Sequence, residues 1–243
     1  MSAQTIFLIA RRELSGYLRT MTGFVIIALA LLVEGLLFNT FSLGAGEKKS
    51  AEVLSTFFYF SSGITMIASV FISMRLLAEE RQTGTLALLY SSPVRDAEIV
   101  LGKFFSALGF VAIMTLATFY MPLLVMVHGK LSVGQIVVGY LGILLIGSAS
   151  LAIGTLGSAL AKNQVLAAIF SGCILAALVV CWMLAGVTER PLSQVFTAMS
   201  LHGGQFQPFQ SGILALRSVV YYLAVTYVFL FAATRVLEAR RWR

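Results

Sequence analysis

Six stretches of the chain are apolar for long enough to cross a lipid bilayer, and this leaves few folds open. A membrane helix needs about 20 largely apolar residues to cover a hydrocarbon core about 30 Å thick. The runs lie at about Gly23 to Phe41, Val53 to Leu77, Phe104 to Val127, Gln135 to Leu160, Val165 to Val187 and Val219 to Leu237. Backbone groups in lipid must be satisfied internally, so such runs are helices; the period-2 alternation of a barrel is absent. The expected fold is an all-α integral membrane protein with six transmembrane helices in one domain, residues 1–243. Composition agrees, since only 11% of residues are charged and soluble domains are nearer a quarter. Mean hydropathy is +0.94, and there are too few polar side chains to cover a water-soluble surface. The net charge of +7 raises nucleic-acid binding as a function. The basic residues flank the apolar runs, however, where they set topology, so no nucleic-acid partner is expected and lipid is the surrounding medium. Cys173 and Cys181 share one apolar run and read as packing residues, not a disulfide framework.

Charge sets the orientation. One set of flanks holds Arg11, Arg12, Arg19, Arg75, Arg81, Arg95, Lys103, Lys162, Arg235, Arg240, Arg241 and Arg243. The opposite set holds only Lys48, Lys49, Lys130, Arg190 and Arg217. The richer side is cytoplasmic by the positive-inside rule, which places both termini in the cytoplasm, in agreement with an even number of spans. Arg11 and Arg12 precede the first run as they would in a signal peptide, but no small-residue cleavage site follows, so span one is expected to be retained. Before it, Ile6, Ala10, Leu14 and Tyr17 fall on one helical face, with Arg12, Ser15 and Arg19 on the other. That is an amphipathic interfacial helix. It either anchors span one or links the bundle to a moving cytoplasmic partner, with Arg11, Arg12, Tyr17 and Arg19 as the residues concerned.

The loop between spans two and three carries the most specific pattern. Glu79, Glu80 and Arg81 mark the exit from the membrane. Thr83, Gly84 and Thr85 allow a turn and offer hydroxyls to cap a new helix. Leu86, Leu89 and Tyr90 recur at helical spacing, and Ser92-Pro93 ends that helix and can start the next. The product is a short cytoplasmic helix with an apolar ridge, suited either to a groove on a partner or to packing on lipid. The run Glu-Glu-Arg-x-x-Gly-Thr-Leu-x-x-Leu-x-x-Ser-Pro-Val, followed by Glu-Ile-Val-Leu-Gly-Lys, resembles the coupling segment of ABC type-2 permeases. The nearest likeness is to the gliding-motility-type and nitrous-oxide-reductase-maturation-type branch. The turn Ala161-Lys162-Asn163-Gln164 is similar to that family's second inner loop. Ser200-Leu201-His202, with Phe206, Phe209 and Ser211-Gly212-Ile213, resembles its outer hairpin between spans five and six.

The resemblance implies a bacterial cytoplasmic-membrane permease with an N-terminal elbow helix and a coupling helix that docks on a separate ABC ATPase. It further implies a homodimer or a pair with a related permease, export as the direction, and a cavity between spans one, two and five of two protomers. No Gly-x-x-x-x-Gly-Lys-[Ser/Thr] loop occurs in the chain, so ATP and Mg are expected on the partner and no cofactor on this chain. Two other functions stay open: an ATP-driven device that moves an outer auxiliary protein, and a channel or scaffold without ATP. No catalytic dyad or zinc motif points to an intramembrane enzyme.

Glu34 lies about 16 Å into span one, near mid-bilayer. An acidic residue there costs about 2.5–3.5 kcal/mol on insertion scales. It is expected to face the interior, protonated or hydrogen-bonded, either on a substrate path or as a packing bond, with the Asn39 amide nearby. Met121, Met126 and His128 gather at the outer end of span three. Thioethers suit Cu(I), but methionines pack ordinary membrane helices, and no metal site is assigned. Gly139, Gly142, Gly147, Gly154 and Gly157, with Ser148, Ser150 and Ser158, predict close packing of span four. Pro122 is expected to kink span three, and residues 191–210 to form an outer hairpin that caps the pathway or lies in the interface.

Overall fold

The computed structural model describes residues 3–44, 49–85, 94–128 and 132–241, and the described residues hold helices and turns without a β-strand. Six helices are long and apolar enough to cross a membrane: Met21–Leu43, Ser50–Gln82, Asp96–Val127, Val133–Leu160, Gln164–Val187 and Leu216–Arg240, spans one to six. Span four is the axis of the bundle. In its most apolar stretch 72% of residues are buried, against 22% in span one and 17% in spans five and six.

Small side chains make that central place possible. A Cβ on Gly139 would overlap the Phe58 ring, one on Gly154 would overlap Ser73, and one on Gly157 would overlap Ser171. Spans two and five therefore touch span four at backbone distance, the close approach that glycine allows in membranes. Most of the apolar core falls into two layers, with a small third cluster of Ala78, Ala161 and Ala167. One surrounds Phe104, Phe110, Met114, Leu151 and Leu237. The other surrounds Phe58, Ile143, Phe206, Phe209 and Tyr222.

At one end of the bundle lie the N-terminal helix Ala3–Arg19, residues 74–85, the start of span three and the ends of spans four and six; it is called the basic end below. The N-terminal helix packs on span three. Ile9 lies against Gly102, Leu14 against Gly109, and the Tyr17 ring 5.5 Å from Phe110. Its Phe7 and Leu8 stay exposed, one turn from Arg11 and Arg12 on the face turned away from span three.

Two boundaries differ from the sequence expectation, the start of span three and the end of span two, while the break in span three is the kink expected at Pro122. Span three begins at Asp96, eight residues before Phe104, because its charges are satisfied: the Glu98 carboxylate accepts from the Arg95 N–H at 3.4 Å, and Lys103 is ion-paired. Span three breaks at residues 118–119, between Asp96–Ala117 and Tyr120–His128. Pro122 is the cause, since it removes the N–H that would bond the Thr118 carbonyl. Span two unwinds over residues 74–77 before a short helix, Ala78–Gln82.

At the far end, Leu192–Met199 lies along span five, and residues 200–210 enter the bundle. Leu201, Phe206 and Phe209 are fully buried. The Phe209 side chain fits against Gly142, where a Cβ would come within 2.6 Å.

Candidate coupling surface and intramembrane carboxyl

The residues that leave span two at the basic end are tied to four other elements. Arg75 grips Glu79 with both arms of its guanidinium, Nε to Oε2 at 2.8 Å and Nη2 to Oε1 at 3.0 Å, and its Nη1 donates to Thr22 of span one at 2.5 Å. Bidentate geometry of this kind fixes direction as well as charge. Unwinding at residues 74–77 frees the backbone N–H groups of Leu77 and Ala78 in a buried place. Ser158 of span four accepts both, each at 3.0 Å. The Arg81 guanidinium then donates to the Ala161 carbonyl at the C-terminus of span four, at 2.9 Å. Helix C-termini leave carbonyls without partners and carry partial negative charge, so a cation is favoured there. Arg240 from span six serves the neighbouring Leu160 carbonyl at 2.7 Å.

Lys103 is the centre of this surface. Its side chain is 3% exposed, with Nζ 2.8 Å from Glu80 Oε1 and 3.3 Å from Glu13 Oε1. One ammonium thus joins the N-terminal helix, the segment after span two and the start of span three. A cleft of about 360 Å³ opens beside it, lined by Arg12, Glu13, Tyr17, Arg75, Glu80 and Thr85 among others. The second Glu80 oxygen is buried there without a partner. The Tyr17 hydroxyl points to the Ile72 carbonyl at 3.4 Å, and burial with Glu13 nearby holds it well above the ordinary phenol range.

Thr83-Gly84-Thr85 forms the expected turn, and the helix its hydroxyls were expected to cap lies outside the described residues. Gly84 takes a positive φ of 75°, the left-handed conformation that ends helices. The Thr83 hydroxyl donates back to the Glu79 carbonyl at 2.9 Å and the Thr85 hydroxyl to the Glu80 carbonyl at 3.3 Å. Both threonines therefore close the helix behind them. Leu86, Leu89, Tyr90, Ser92 and Pro93 lie outside the described residues.

Glu34 is 4% exposed. Its Oε1 accepts the Ser61 hydroxyl of span two at 2.6 Å, and its Oε2 is buried with no partner. Asn39 is not brought to it; that side chain is exposed. Five residues at 100° each put the two about 140° apart around the helix, and the helix widens to a π turn at Phe38–Leu43. Met121 is buried, Met126 is exposed, and the His128 side chain lies outside the described set.

At the far end, Gln135 of span four donates to the Ala51 carbonyl of span two and the Gln210 carbonyl of the hairpin, each at 3.1 Å. His202 faces the Ser62 hydroxyl at 2.9 Å, stacks on Phe206, and is held below its ordinary imidazole range by burial. Lys103, Ser158, Gln135 and Ser61 were not singled out by the sequence as site residues. Lys103 carried one available signal, a lysine within a helical run in a chain with only 10 acidic residues, which needs a carboxylate beside it.

A family model described as ABC-2 family transporter protein matches residues 7–240. No curated protein matches the chain.

Proposed function

The chain belongs to the ABC-2 transporter family, as a membrane-spanning permease component, and from that premise we propose that a separate ATPase subunit drives it through residues 79–93. The carrying observation is the Lys103 ion-pair centre, with Ser158 and Arg81 beside it: whatever moves Glu79, Glu80 and Arg81 moves the N-terminal helix and spans three and four with them. Rigid elements joined by buried polar bonds are the physical means by which a push at a surface reaches a bundle. Leu86, Leu89 and Tyr90 supply the apolar ridge that enters the partner, and Thr83, Gly84, Thr85, Ser92 and Pro93 set its ends. Tyr17 holds the elbow helix against this surface, and Arg11, Arg12 and Arg19 lie on its exposed face, open to a partner.

The ATPase carries ATP and Mg, and the permease works as a pair, with itself or with a related chain. Spans one and five support pairing, since Phe24, Leu29, Leu32, Leu36, Ile169 and Met183 leave their apolar faces uncovered. The basic end is cytoplasmic in an inner-membrane setting by its excess of Lys and Arg, and transport is outward. Glu34 stands by the pathway. The Glu79–Lys103 pattern supports the gliding-motility-type and nitrous-oxide-reductase-maturation-type branch. The test is a tagged chain expressed in its own host. An ATPase subunit should copurify with it, and Leu86→Glu with Leu89→Glu should abolish that copurification while the permease still folds. Unchanged copurification would rule out docking at this ridge.

A further inference from the structure

The carboxyl of Glu34 sits in a setting that a packing bond leaves incomplete. A hydroxyl partner reaches only one of its oxygens. The other is buried and unpaired, and so is the Thr65 hydroxyl, one turn from Ser61 on the same face of span two. Neighbouring hydroxyls on that span do find helix carbonyls: Ser69 donates to Thr65 at 2.7 Å and Ser73 to Val70 at 3.1 Å. Unsatisfied polar atoms in hydrocarbon cost several kcal/mol each, so an unpaired carboxylate oxygen on span one and an unpaired hydroxyl one turn from its partner on span two mark a place for something else. Among the described residues, no opposite charge compensates Glu34.

The surroundings give the place a direction. Phe38, one turn beyond Glu34, and Phe57, one turn before Ser61, meet edge to face with centroids 5.8 Å apart and close it toward the far end. Toward the basic end, Ser61, Thr65, Ser69 and Ser73 continue as a row at every fourth residue, each no more than 1% exposed. The row rises about 18 Å from Ser61 to Ser73. Gly154 of span four lies against Ser73, and Gly147 against Thr65.

We propose that Glu34, Ser61 and Thr65 form a binding site for one small monovalent cation, a proton or a sodium ion. The occupant neutralises the carboxyl in lipid and engages the two unpaired oxygen atoms. Packing by Phe38 and Phe57 excludes larger organic cations. This goes beyond the permease role and requires neither ATPase nor transported substrate to be observed.

The test is infrared spectroscopy of the purified full chain in lipid nanodiscs, with sodium replaced by choline. A proton site gives a carboxylic-acid C=O band that is lost in Glu34→Gln, displaced in Glu34→Asp, and shifted within minutes of transfer to D2O. A sodium site gives a Glu34 carboxylate signal that grows on adding sodium and does not respond to equal choline. Thr65→Val, which removes the unpaired hydroxyl, should displace the acid band or raise at least tenfold the sodium needed for the same carboxylate signal. An acid band that stays unexchanged in D2O for hours and ignores sodium would overturn the proposal, as would a carboxylate signal indifferent to both. Should Glu34→Gln fail to fold, the Glu34→Asp displacement and the wild-type exchange rate decide the same question.

Discussion

Replacing Lys103 by methionine keeps the length and apolar body of the side chain and removes its charge. Its Nζ lies 2.8 Å from Glu80 and 3.3 Å from Glu13. At an effective dielectric of about 20, those contacts are worth about 6 and 5 kcal/mol of Coulomb energy. Desolvation offsets much of this, by several kcal/mol per buried ion. Glu13 is 31% exposed and Glu80 18%, so water softens both carboxylates once the ammonium is gone. Removing one partner of a buried pair typically costs about 3–5 kcal/mol, and this partial exposure points to the lower end, about 3 kcal/mol. For a chain of this size that is a fall of about 6–12 °C in Tm. Thermal unfolding in nanodiscs reads it directly. The cost comes from uncompensated negative charge, so Lys103→Met with Glu80→Gln and Glu13→Gln should regain most of the loss. An unchanged Tm for the single variant, or a triple variant no more stable than the single, would refute the reasoning.

Three further outcomes follow from the same geometry. Ser158→Ala strands two buried N–H groups, at about 1–3 kcal/mol each; hydrogen exchange at Leu77 and Ala78 should accelerate by tenfold or more, and Ser158→Thr should restore protection. Gly139→Ala drives a methyl into the Phe58 ring, and overpacking of this kind costs about 1–3 kcal/mol, visible as a lower Tm. Gln135→Leu removes both donations that pin the hairpin and span two, so a thiol at Gln210→Cys should react about tenfold faster with a water-soluble maleimide.

The spans were legible because the bilayer imposes length and apolarity on each run separately. The start of span three was hidden for the converse reason. Asp96, Glu98 and Lys103 break an apolar window, and only their partners, Glu13 and Glu80 for Lys103, make the charges tolerable inside a helix. Those partners lie 90 and 23 residues away in the chain, a separation no local period records. Span four announced its place through its glycines, since a stripe of small residues has one physical use in lipid. The hairpin's depth did not show, because Phe206 and Phe209 are buried by Gly142 and its neighbours on a different span. Glu34 was conspicuous as a carboxyl in an apolar run, yet its partner, Ser61, is one hydroxyl among many. Asn39 was the poorer choice on helical geometry alone, being about 140° around from Glu34. The Thr83 and Thr85 hydroxyls fit either end of a helix, and among the described residues both donate to carbonyls of the one before.

A photo-crosslinker placed at Thr85, and separately at Gln210, tests most directly the claim that the permease is energised at its basic end. In membranes containing the assembled complex, the Thr85 probe should capture an ATPase subunit and the Gln210 probe should not. Capture from Gln210, or from neither position while the complex hydrolyses ATP, would contradict energising through residues 79–93.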